Sequence, residues 1–74
     1  MWTFEKFIKD LYDGYVLEFE YMNCKHHITY LDEDKYSIIK YTQDNKHKRE
    51  ERRIINTNVV EEIFKDIQEI TYVY

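Results

Sequence analysis

The apolar residues at the start of the chain fall at Phe4, Phe7, Ile8 and Leu11, the i, i+3, i+4, i+7 spacing of one helical face. Thr3 ahead of this stripe offers a hydroxyl to an orphan amide of the first turn. Gly14 behind it can take the left-handed conformation that ends a helix. The spacing predicts a helix over about 3–13. The period then changes to two. In "YVLEFEYM" (15–22), Tyr15, Leu17, Phe19 and Tyr21 alternate with Val16, Glu18, Glu20 and Met22, the pattern of a strand with one buried face.

Asn23-Cys24 reads as a tight turn, and "KHHITYL" (25–31) as the returning strand, pairing 21 with 26, 19 with 28 and 17 with 30. A second turn at Glu33-Asp34, within "DEDK" (32–35), leads into "YSIIKY" (36–41) and pairs 39 with 28 and 37 with 30. In that register Ile39 and Tyr41 join the core side, and Tyr36, Ile38 and Lys40 face outward. Asn58 and Glu61 have the spacing of a capping box, which predicts a helix over about 58–67. Ile70, Tyr72 and Tyr74 alternate with Thr71 and Val73 in a terminal strand at an edge of the meander. The expected architecture is α+β, in the order α-β-β-β-α-β: a twisted antiparallel sheet with helices packed on one face, in a single domain over 1–74.

One segment resists this scheme. A hairpin about Asp44-Asn45 would set Lys48, Glu50 and Arg52 of "KHKREERR" (46–53) opposite Tyr41, Ile39 and Ser37. That places charges on the side assigned to the core, where desolvation is costly. A loop or a solvated helix is therefore expected there.

Composition narrows the setting. A chain of 74 residues buries only roughly 60% of its unfolded surface. Eight Tyr, four Phe and one Trp give it the large side chains that compensate. Cys24 is the only cysteine, which precludes an internal disulfide and suits a reducing compartment. No apolar run approaches the ~18 residues of a membrane span, and charges interrupt the N-terminus from Glu5 onward, unlike a signal peptide. A cytoplasmic protein is expected. The richness in Lys, Ile, Asn and Tyr points to an AT-rich genome.

The net charge is −4, yet residues 46–53 hold five of the eleven Lys and Arg against two Glu, leaving six cations and thirteen acidic residues elsewhere. Lys46, Lys48, Arg49, Arg52 and Arg53 are the candidate nucleic-acid contacts. Phosphate binding needs a sustained basic surface, which the acidic remainder opposes. His26 and His27 are adjacent on a strand and so face opposite ways, and Cys24 and His47 do not complete a four-ligand zinc set. Glu18 and Glu20 share a face with no partner to split their acidities. Cys24 lacks a base and an orienting group. Asp32, Glu33 and Asp34 lack the glycine and distant glutamate of a calcium loop. No catalytic residue, metal or cofactor is assigned, and the chain is read as a non-enzyme. Val16, Leu31, Tyr36 and Ile38 cluster on the outer face beside Glu18 and Glu20, an apolar patch with a charged rim. These six are the candidate partner-binding residues.

"FEKFIKDLYDG", "YVLEFEYMNCKHHITYLDEDKYSIIKY" and "FKDIQEITYVY" together resemble a group of small uncharacterised α/β proteins of Gram-positive bacteria and their phages. Members open with an amphipathic helix and a Gly, followed by a Glu-Phe-x-Tyr strand, an Asn-Gly turn and an aromatic-rich meander. The resemblance covers about 1–41 and 58–74, with Asn23-Cys24 in place of Asn-Gly and no counterpart for 42–56. In size, acidity and layout the chain is also similar to small phage anti-CRISPR proteins. The resemblance implies a fold and no activity. The functional expectation is a small acidic protein-binding module, of the kind a phage or mobile element uses to inhibit a host defence nuclease. A homodimeric structural module and nucleic-acid binding through 46–53 stay open as alternatives.

Overall fold

The computed structural model describes residues 1–44 and 46–73; the expected place of Asn45 in a turn and of Tyr74 in a strand lies outside them. The chain folds as two helices and a five-stranded antiparallel sheet, an α+β fold. The order is α1 (Phe4–Tyr12), β1 (Leu17–Tyr21), β2 (Cys24–Asp32), β3 (Lys35–Asp44), β4 (His47–Ile55), α2 (Thr57–Phe64) and β5 (Gln68–Tyr72). Across the sheet the strands run β4-β3-β2-β1-β5. Among the described residues, no helix is long and apolar enough to cross a membrane.

The ends of α1 follow from its sequence. Thr3 Oγ1 accepts from the Lys6 amide at 3.1 Å. Past the C-cap Asp13, Gly14 takes φ +97, and the amides of Gly14 and Tyr15 donate to the carbonyls of Leu11 and Asp10 at 3.1 Å each, a Schellman closure. The cap of α2 differs from the expected box. Asn56, not Asn58, accepts from an N3 amide, that of Val59, at 3.0 Å. Asp34 from the β2–β3 turn adds a second acceptor for the Thr57 amide at 2.9 Å, and the Thr57 hydroxyl also donates to it. Those two bonds, side chain first, hold the Asp34 carboxyl below its ordinary pKa. The acidic turn is thus tied to the fold and not merely solvated.

Three local features set the sheet register. Met22 and Asn23 both have positive φ, 51 and 62, as a two-residue type I′ hairpin requires. The turn therefore sits one residue earlier than Asn23-Cys24, and Cys24 begins β2 opposite Tyr21. The pairing becomes 19 with 26 and 17 with 28, a shift of two, which leaves every side chain on its expected face. The second hairpin does turn at Glu33-Asp34, with Asp32 opposite Lys35. Between that pair and Tyr30–Tyr36, however, Leu31 is an extra residue: a β-bulge. One residue inserted into a period of two reverses the faces of β3. Tyr36 and Ile38 point into the core, and Ile39 and Tyr41 point away from it. A further irregularity lies where β5 meets β1, with Glu69 at φ 54.

The fourth strand corrects the expectation for 46–53. It pairs with β3 without a break from Tyr36–Ile55 to Asp44–His47. Its residues 47–54 are all exposed and only Ile55 is buried. The desolvation cost that weighed against a strand does not arise, because the sheet extends past its core and β4 keeps water on its charges.

The core joins Phe7 and Leu11 of α1, Val60 and Ile63 of α2, and Leu17, Phe19, Ile28, Tyr36, Ile38 and Ile55 of the sheet. These sheet residues share one face in the observed register, here called the core face. Phe7 packs edge-on to Phe19 at 6.2 Å and against Phe64 at 5.2 Å between ring centroids. Tyr72 of β5 donates to Asp10 of α1 at 2.6 Å and accepts from Lys6 at 3.0 Å, with the Trp2 and Tyr15 rings packed against it at tilted angles. This cluster ties the last strand to the first helix.

Candidate functional site

The second face of the sheet holds a polar network that spans three adjacent strands. By alternation it presents Glu18 on β1, Lys25 and His27 on β2, Ile39 and Tyr41 on β3, and Glu50, Arg52 and Ile54 on β4. His27 Nε2 lies 3.0 Å from Glu18 Oε1, and the Tyr41 hydroxyl lies 3.2 Å from His27 Nδ1. A carboxylate can only accept, so Nε2 carries the proton and donates to Glu18. In the neutral ring Nδ1 then accepts from Tyr41. Three side chains on three adjacent strands are thereby fixed in one orientation, and Lys25 lies 3.9 Å from the same Glu18 oxygen.

A concavity of about 420 Å³ lies over this group, lined by Lys25, His27, Tyr41, Gln43, Lys48 and Glu50 among others. It is framed by both signs of charge. Hydroxyl, imidazole and carboxylate stand in the order used by activated nucleophiles. What the bonds accomplish in this geometry is to fix the Tyr41 ring edge-on to the imidazole, 4.7 Å between centroids.

His26 is the contrasting case. Its ring stacks on Phe19 at 5.4 Å and 2°, and Nδ1 donates to the Cys24 carbonyl at 2.9 Å. Burial lowers its pKa, a shift the carbonyl bond only partly opposes. The adjacent histidines face opposite ways, as strand geometry requires. Among the described residues no cluster of three His, Cys, Asp or Glu side chains could hold a metal.

The six candidate partner-binding residues, four apolar with two glutamates at their rim, do not form one surface. Tyr36 and Ile38 are 0% and 4% exposed, in the core. Leu31 is exposed at the bulge, and Val16 is half-buried, its carbonyl accepting from the Val73 amide at 2.8 Å. Glu18 and Glu20 lie on the second face, as assigned. The basic residues are divided as well. Lys48 and Arg52 lie on the second face and Arg49 and Arg53 on the core face, with Lys46 just ahead of β4. Glu50 and Glu51 separate the cations on each face, although Arg49 lines the concavity together with Lys25 and Lys48. Ile39, Tyr41 and Ile54 are the residues sequence reasoning missed. The signal was Ser37, a polar residue that the unbulged register put on the core side.

No family model, curated protein or solved structure matches this chain.

Proposed function

We propose that the protein is a small protein-binding module that meets its partner through the second sheet face and the adjoining β4 strand. The observation that carries this reading is the make-up of that face. Ile39, Tyr41 and the 55% exposed Ile54 stand on adjacent strands, with Glu18, Lys25, Glu50 and Arg52 around them. Apolar side chains supply burial, and surrounding charges steer the encounter and reject wrong partners. Both helices are taken to pack on the core face, a reading supported by the single cluster that Phe7, Leu11, Val60 and Ile63 form with the core-face residues. That leaves the second face for a partner.

The biological setting belongs to the same proposal. The thirteen acidic residues outside 46–53, the small size and the resemblance to phage-borne proteins support a cytoplasmic inhibitor of a host defence nuclease. Division of the basic residues between two faces weakens the nucleic-acid alternative, since a phosphate backbone would meet two cations with a glutamate between them.

The test is capture from the native host with the wild type and with an Ile54→Glu, Arg52→Glu variant. The wild type should retain one protein that the variant loses, at unchanged circular dichroism and thermal unfolding. A protein retained equally by both sinks the reading.

A further inference from the structure

The two edges of the sheet are built differently. β5 spans five residues, is irregular against β1 and has Glu69 at φ 54, features that discourage another strand from pairing. β4 spans nine residues, pairs regularly with β3 over its whole length and, among the described residues, has no strand paired on its other side. Alternate residues of β4 therefore aim backbone N–H and C=O groups outward. Long regular edges are sites of strand addition unless something forbids it.

What β4 forbids is itself. A continuous sheet made by a two-fold axis keeps each residue on its own face, so one residue must sit opposite its own copy. For every axis from Lys48 to Arg53 that residue is charged, and two like charges meet. The signs are also doubled, as Lys48-Arg49, Glu50-Glu51 and Arg52-Arg53. Neighbours in a strand face opposite ways, so each face of β4 reads plus, minus, plus, at intervals of about 7 Å.

We propose that the β4 edge docks an extended segment of a partner protein that carries two acidic, two basic and two acidic residues in succession. Such a strand sets opposite charges against all six positions, on both faces. A slip of two residues brings like charges together, so the pattern selects the register. It reads the same in both directions and does not select strand polarity. No stretch of this chain has that sequence, so a second copy cannot supply it. The proposal rests on the protein-binding reading and names the partner's chemistry.

Two twelve-residue peptides of identical composition test it, one with the acidic-acidic-basic-basic-acidic-acidic centre and one with the six charges reordered. The ordered peptide should bind about tenfold tighter, weaken with salt, and slow hydrogen exchange at alternate amides of residues 47–55. Methylating alternate peptide nitrogens along the docking edge should abolish binding. Equal binding of both peptides, no binding, or protection confined to the second face overturns the proposal. If peptide binding fails while the Ile54→Glu, Arg52→Glu variant still loses its captured protein, the edge proposal falls and the module reading stands. If that capture also fails to discriminate, both fall.

Discussion

Ile28 lies directly opposite Ile38, one residue short of the partner that the Glu33-Asp34 turn alone dictates. The difference is Leu31. Its insertion into β2 turns the β3 side chains over, so Tyr36 is fully buried while Tyr41 stands beside His27 on the second face. The core and the candidate site both depend on that single residue.

Substitution on β3 should therefore sort by parity. Tyr36→Ala should cost about 3–5 kcal/mol, a large share of the 4–11 kcal/mol or so available to a chain of this length. Tyr41→Ala should cost about 1 kcal/mol. Urea denaturation of both variants measures this, and the reverse ranking would restore the unbulged register.

The first hairpin predicts a gain. Met22 carries φ 51, a conformation that disfavours side chains other than Asn, Asp and Gly, and Asn23 follows at φ 62. Replacing Met22-Asn23 by Asn-Gly should raise stability by about 1 kcal/mol, seen as a higher urea midpoint at unchanged slope. Were the turn at Asn23-Cys24, the same change would place Asn in a strand and lower stability.

Much of this fold could be read in the chain. Both helices, the first three strands and the last follow from apolar period, from Thr3 and Gly14, and from turn residues. The faces of β1 and β2 survived a misplaced turn because the error was an even number of residues. Those of β3 did not survive an odd one, because in "YSIIKY" the polar Ser37 and Lys40 alternate onto opposite faces and point to opposite registers. β4 escaped for another reason: desolvation was charged to a strand that solvent reaches on both sides. The partner surface inherited the β3 error, so its acidic residues were legible and its apolar ones were not.

Acid should weaken the fold through His26. Burial holds its folded pKa below the unfolded value, so its neutral form is favoured in the native state. Its contribution is complete above about pH 6.5 and is lost as pH falls from there through the lowered folded pKa. Unfolding midpoints at pH 7 and pH 5.5 should differ, and His26→Phe should narrow the gap.

Base should act through Tyr36. Burial pushes its phenol up to about 12, whereas the unfolded chain ionises near 10. Its contribution is complete below pH 10 and is lost as pH rises towards 12. Tyr36→Phe should flatten the alkaline limb of the stability profile, and an unchanged limb would count against the burial described.

The charges of β4 should matter little to stability. Glu50→Lys and Glu51→Lys each lie on an exposed strand and should move the urea midpoint by no more than about 0.5 kcal/mol in equivalent stability. Ile55→Ala, at the one buried position of the strand, should cost about 2–5 kcal/mol. Comparable losses at all three positions would mean that β4 is enclosed.

The proposed protein partner meets the second face and β4. Photocrosslinking in the native host tests it most directly, with the reactive side chain at position 54 on the second face or at position 62 on the exposed side of α2. Position 54 should give a discrete protein adduct, absent from position 62 and lost with Arg52→Glu. Nucleic-acid adducts alone, or the same protein captured equally from both positions, would contradict it.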